Sequence, residues 1–229
     1  MSADRRKVLT MLSEGKVTVD EAEAMLDALN PQNTAGANIP KLEVAGASEV
    51  TKQLKARIQE VARTESPVLI YGETGTGKAY TARSIHPFSR RAGHPILDHF
   101  CETSIENNDA EIFGVENLGA VVKRGLLELA QGGTVFLDAV GIMAPETQHR
   151  LHSFLTDGYY TRLQGVQPVY ADVRIMVATN RDLSQEVEAG RFRADLYDQL
   201  RVCLVETHNL RENKDDIPVL AKYFAGGTG

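Results

Sequence analysis

The apolar run Val68-Leu69-Ile70-Tyr71 empties directly into Gly72-Glu73-Thr74-Gly75-Thr76-Gly77-Lys78, and a helix-like stretch from Ala79 to His86 follows. A buried strand, a glycine-rich turn and a helix are thereby forced into one continuous unit. Glycines let successive backbone N–H groups turn inward around an anion, and a helix N-terminus adds its partial positive charge. Lys78 supplies a full charge at the β/γ end of a polyphosphate. The implied ligand is a nucleoside triphosphate held by Gly72, Glu73, Thr74, Gly75, Thr76, Gly77, Lys78 and Ala79. Ala79 departs from the usual hydroxyl-bearing residue after the lysine and has no oxygen to offer Mg²⁺.

Further apolar runs recur at Pro95–Leu97, Val135–Asp138, Val173–Ala178 and Val202–Val205, separated by helix-like segments. Such alternation implies an α/β fold with a mostly parallel sheet flanked by helices, its ligand loops at the carboxyl ends of the strands. Ahead of this domain, Val8, Met11 and Leu12 share one helical face, and Ala22, Met25, Leu26 and Leu29 share another. Thr18 and Glu21 have the spacing of a reciprocal cap at the start of the second helix. A helical hairpin over residues 1–30 is expected, a linker over 31–40 (NPQNTAGANIP begins at Asn30), and the α/β domain over 41–229. The hairpin is too small to bury both stripes alone, so it is expected to dock on the main domain or on another copy of itself.

The 229 residues carry a net charge of −6, which argues against general attraction to nucleic acid. No apolar run is long enough to span a bilayer and no signal-peptide core follows Met1–Lys7, so a cytoplasmic location is expected. Cys101 and Cys203 lack a metal-ligand spacing and read as buried thiols. His149 and His152 stand at helical i, i+3 spacing without a third ligand.

Two strand ends complete the nucleotide reading. Gly132-Gly133-Thr134-Val135-Phe136-Leu137-Asp138 ends in an acid placed to support Mg²⁺, and Val173–Ala178 leads to Thr179-Asn180, whose amide suits a γ-phosphate sensor. Asp215-Asp216, just before Ile217-Pro218, reads as a helix-capping pair.

With YGETGTGK, EIFG (Glu111–Gly114), GGTVFLD, VRIMVATNRDL, GRFRADLYDQL and NLRENKDDIPVL in this order, the segment from about Val44 to Phe224 resembles the central AAA+ domain of bacterial sigma-54-dependent transcription activators. The first thirty residues resemble short bihelical association modules. The resemblance implies ATP or ADP on the phosphate loop, Mg²⁺ at Asp138, Asn180 as first sensor, and Arg193 as a finger reaching a neighbouring subunit. It also marks departures. Ala139 stands where the family has the glutamate that polarises water, Phe100 where it has the asparagine that holds that glutamate, and Gln199 where it has a second arginine finger. Weak or absent hydrolysis is therefore expected.

The loop after Phe113-Gly114 lacks the family's Phe-Thr tip, which speaks against direct sigma-54 contact. The helical lid is largely absent, and no DNA-binding helix-turn-helix is seen. Self-association, or assembly with an active AAA+ relative, is the partnership this implies. Three readings stand: a regulatory ATP-binding protein, a slow but genuine ATPase in which Glu73 or Glu128 replaces the missing acid, and a nucleotide-independent scaffold.

Overall fold

The structure is a computed structural model describing residues 44–101 and 104–226. Two units divide the chain, Met1–Asn38 and Ile39–Gly229, and every element below belongs to the second. The expected hairpin over 1–30 and linker over 31–40 lie outside the described residues.

Five strands form the central sheet: β1 (Val68–Tyr71), β2 (Ile96–Phe100), β5 (Thr134–Asp138), β8 (Arg174–Thr179) and β9 (Cys203–Glu206). Their order is β2-β5-β8-β1-β9, and every adjacent pair is parallel. The register pairs Tyr71 with Thr179 on one side and with Glu206 on the other, so three strand ends emerge together around the phosphate loop.

Side chains alternate across the sheet with the period of two that a pleated strand requires. Leu69, Val135, Leu137, Ile175 and Val177 enter one apolar cluster, while Val68, Ile70, Phe136, Met176 and Ala178 enter the other. The second cluster is closed by α1 (Glu49–Ala62) and α2 (Lys78–Ile85) through Ile58, Val61, Ala82 and Ile85. The first is closed by α3 (Ile105–Ile112), α4 (Leu126–Leu129), α5 (Pro145–Asp157), α6 (Leu183–Glu188) and α7 (Ala194–Leu200). Each fully buried aliphatic side chain contributes roughly 1.5–3 kcal/mol, so apolar packing on both faces holds the sheet firmly between its helix layers.

The strand expected at Pro95–Leu97 continues to Phe100. Its outer residues Asp98 and Phe100 are exposed because β2 is an edge strand, which masks the apolar signal in the sequence. The helix expected at Ala79–His86 begins at Lys78 and passes into a 3₁₀ turn at His86–Phe88. Two antiparallel hairpins, β3–β4 (Val115–Asn117, Ala120–Lys123) and β6–β7 (Tyr159–Thr161, Pro168–Tyr170), were not expected. Leu118 and Gly119 both have positive φ, 50° and 81°, as the two-residue turn of the first hairpin demands. The hairpins meet where Glu116 donates its N–H to the carbonyl of Leu163 at 2.9 Å and Arg162 pairs with Glu116 and Glu128.

Asp216 opens α8 (Asp216–Gly226), yet it caps a different helix. Its carboxylate accepts from the N–H groups of Ala47 and Ser48, both at 2.7 Å, and from the hydroxyls of Ser48 and Thr51 at 2.6 and 2.7 Å. The expected capping role thus moves from α8 to the start of α1, 168 residues away in sequence. At the other end of α1, the buried guanidinium of Arg174 on β8 donates to the Val61 carbonyl at 2.6 Å, the Thr64 hydroxyl at 3.1 Å and the Ser66 carbonyl at 3.3 Å. Both cysteines are buried and free, as the sequence suggested.

Candidate functional site

The loop between β1 and α2 is shaped by three glycines with different duties. Gly75 and Gly77 have φ of +85° and +86°, a left-handed backbone that L side chains rarely adopt. Gly72 is needed for space, since a Cβ there would lie 2.1 Å from the Thr207 hydroxyl. Gly77 is the N-cap of α2 and offers no side-chain acceptor, so the first N–H groups of that helix face the loop without a side-chain cap.

Hydrogen bonds tie the loop to its neighbours. Lys78 donates its ammonium to the Glu73 carbonyl at 2.9 Å, and the Thr76 hydroxyl donates to the same oxygen at 2.8 Å. From β8, Asn180 donates its amide to the Thr74 hydroxyl at 3.1 Å. From the segment after β9, the Thr207 hydroxyl lies 2.7 Å from that of Thr76, and Arg211 forms a 2.5 Å ion pair with Glu73. The Arg211 hydrogen bond first, and one from Asn209 second, hold the Glu73 carboxyl below the ordinary glutamate range.

Two clefts flank the loop, and Thr74, Gly75, Gly77 and Tyr80 line both. One, of about 330 Å³, has apolar walls at Val44, Val50, Leu54, Leu210 and Leu220, with His208, Asn209 and Asn213 among its polar lining. Its apolar walls suit a planar heterocycle. The other, of about 520 Å³, is lined by Lys78, Phe100, Asp138, Ala139, Asn180 and Arg181 among others. Two cations, an amide and one carboxylate suit the phosphate end of a nucleotide. Asp138 accepts from the Ala139 N–H at 2.8 Å, and among the described residues it is the one carboxylate lining this cleft.

The structure therefore gathers Gly75, Gly77, Lys78, Ala79, Asp138 and Asn180 at one cleft. It does not bring Arg193 there. That guanidinium, at the N-cap of α7, pairs with Asp195 at 2.6 and 3.0 Å. Gln199 donates instead to the Thr156 hydroxyl at 2.8 Å. Glu128 is held by Arg124 and Arg162, and neither Glu128 nor Glu73 lines the phosphate cleft. Sequence reasoning missed Tyr80, Arg181, Thr207 and Arg211. Arg181 and Arg211 stand inside the strings VRIMVATNRDL and NLRENKDDIPVL, and Tyr80 follows Lys78 by two residues, whereas Thr207 lies in none of these motifs.

Comparison with known proteins follows the same lines. Residues 44–206 match the model of the Sigma-54 interaction domain, and residues 4–33 match that of a SHOCT-like domain. The Nif-specific regulatory protein of Rhodobacter capsulatus is 38% identical over 211 residues, covering 90% of this chain and 36% of that protein. The transcriptional regulatory protein ZraR of Salmonella typhimurium is 38% identical over 212 residues, covering 88% of this chain and 48% of that protein. Among solved structures, NtrX from Brucella abortus in complex with ATP has a TM-score of 0.74 at 32% identity, covering 91% of this chain and 47% of that one. The chain thus spans less than half the length of each of these relatives. With its sheet order, phosphate loop and matched span in agreement, the chain belongs to the sigma-54 interaction domain family, the AAA+ P-loop domain of bacterial enhancer-binding proteins, with a SHOCT-like segment ahead of it.

Proposed function

We propose that this chain is a regulatory module that binds ATP or ADP on its phosphate loop and hydrolyses ATP poorly. Lys78, the loop N–H groups and the N-terminus of α2 supply the phosphate contacts, Asn180 senses the γ end, and the apolar cleft takes the base. The NtrX relative was solved with ATP and with ADP, which supports this choice of ligand. Asp138 would hold Mg²⁺, which when bound neutralises phosphate charge. Its carboxylate at the cleft fits that duty, although Ala79 adds no hydroxyl to it.

The observation that carries poor hydrolysis is Ala139 at the cleft beside Asp138, with Phe100 the register partner of Asp138 on the adjacent strand and no second carboxylate lining the cleft among the described residues. A methyl group neither accepts a proton nor orients water. Losing one such group commonly costs several kcal/mol of transition-state stabilisation, about a thousandfold in rate. Glu73 and Glu128, the two candidate replacements, are each engaged by arginine away from the cleft, which argues against the slow-ATPase reading. Arg193 remains available as a trans finger only after leaving Asp195.

Nucleotide occupancy would then govern association with another copy or with an active relative. Residues 115–123 form a tight hairpin with Leu118 fully exposed at its turn, where the family carries Phe-Thr, which argues against direct contact with sigma-54. Calorimetric titration with Mg-ATP tests the reading: saturable binding by the wild type, lost in Lys78→Ala, is expected. No binding would turn the assignment toward a scaffold. Turnover comparable to active relatives, abolished by Lys78→Ala, would overturn poor hydrolysis.

A further inference from the structure

The phosphate loop of this chain contains its own anion. Glu73 is the second residue of the loop, its backbone oxygen carries the resting Lys78 ammonium at 2.9 Å, and its carboxylate is exposed. Although Glu73 lines neither cleft, a bound polyphosphate would add several negative charges to the loop that carries this carboxylate and would draw Lys78 from the Glu73 carbonyl. Left alone, Glu73 would oppose the ligand that the rest of the loop attracts.

The counter-charge comes from 138 residues further along the chain. Arg211 places Nη2 2.5 Å from Glu73 Oε1, and within the same segment Thr207 reaches Thr76 at 2.7 Å. Leu210 and Asn213, on either side of Arg211, line the apolar cleft, whereas Arg211 itself lines neither cleft. The guanidinium is thus turned toward the loop carboxylate rather than into the space a nucleotide would fill.

We propose that Arg211 is a positioning residue for nucleotide binding, which acts through Glu73 by neutralising the carboxylate of the phosphate loop and latching the segment before α8 to that loop. This rests on the ATP-binding reading above. Because Arg211 works through another residue, its loss is harmful only while Glu73 carries charge. A residue that touched the nucleotide directly, or one that merely held the fold, would be missed equally whether Glu73 were charged or neutral.

A double-mutant cycle read by calorimetric titration of the full chain with Mg-ATP separates these cases. Arg211→Ala is expected to weaken ATP binding about three- to fivefold, and Arg211→Lys to recover part of that loss. In the Glu73→Gln background, Arg211→Ala is expected to change affinity by less than about twofold. The weakening in Arg211→Ala should also shrink as salt is raised, since the effect is one of charge between exposed groups.

Wild-type affinity in Arg211→Ala would overturn the inference while leaving ATP binding intact. A fall of equal size in the wild-type and Glu73→Gln backgrounds would also overturn it, and would mark Arg211 as a direct ligand or a purely structural residue. Failure of the wild-type chain to bind ATP would overturn both, through the functional reading rather than the latch.

Discussion

At the scale of single residues, Ala139 combines a chemical absence with a conformational demand. Its φ of 59° and ψ of 33° place a non-glycine residue in the left-handed region, at the turn between β5 and the 3₁₀ segment Val140–Ile142. A longer side chain there is sterically no worse than alanine at the backbone, because the cost comes from Cβ. Restoring both polar partners in Ala139→Glu/Phe100→Asn is therefore expected to raise phosphate release by about tenfold or more over the wild type, measured under saturating ATP. An unchanged rate would mean that the missing acid is not what limits turnover.

His86 makes a second prediction at this scale. It is buried, with Nδ1 3.0 Å from the Thr134 hydroxyl and Nε2 2.9 Å from the His94 carbonyl. Burial lowers its pKa, and the nearby Arg174 guanidinium works in the same direction. The unfolded chain then takes up a proton near pH 6.5 before the folded chain does. The stability contributed by neutral His86 is complete above that pH and is lost as pH falls toward the lower folded value. Urea melts between pH 8 and 5 should show this loss, with a shallower slope over the same range in His86→Gln.

Between elements, Asp216 is the joint that fastens the start of α8 to the start of α1. Burial alone would raise its pKa, but hydrogen bonds from Ser48, Thr51 and Ala47 outweigh it and bring the value down to about 2. A carboxylate depressed from 3.8 to about 2 contributes roughly 2 kcal/mol of stability at neutral pH, present above pH 4 and lost as pH falls through the folded value. Asp216→Asn should lose about that amount in chemical denaturation at pH 7. A loss below about 0.5 kcal/mol would show that the joint is not used.

This joint also shows where sequence reading stops. Asp215-Asp216 ahead of Ile217-Pro218 identifies a helix start, because capping is local. Which helix the carboxylate serves depends on the sheet bringing residue 216 beside residue 47, which no spacing encodes. The same holds for the second half of β2, where exposed Asp98 and Phe100 conceal how far the edge strand expected at Pro95–Leu97 continues, and for the two hairpins, whose strands are three or four residues long.

On the scale of the whole molecule, strand order decides what was readable in the site. β1 lies between β8 and β9, so the phosphate loop is flanked by Asn180 on one side and by Thr207 and Arg211 on the other. Asn180 and Asp138 end strongly apolar strands and were legible for that reason. Thr207 and Arg211 follow a short edge strand with a mixed burial pattern, and their meaning appears only once β9 is laid beside β1. Arg193 was legible as a motif residue, but its pairing with Asp195 depends on the rotamer chosen at the N-cap of α7.

The three loop glycines imply different tolerances to mutation. Around position 72 the obstacle is matter: the Thr207 hydroxyl occupies the space a first side-chain carbon would need, and the same hydroxyl donates to the Tyr71 carbonyl, tying the end of β1 to the segment after β9. At positions 75 and 77 the space is open and the obstacle is only the sign of φ, which asparagine and aspartate meet more readily than other residues. Across a saturating library scored for soluble folded chain, position 72 should accept glycine alone, while positions 75 and 77 should let asparagine through.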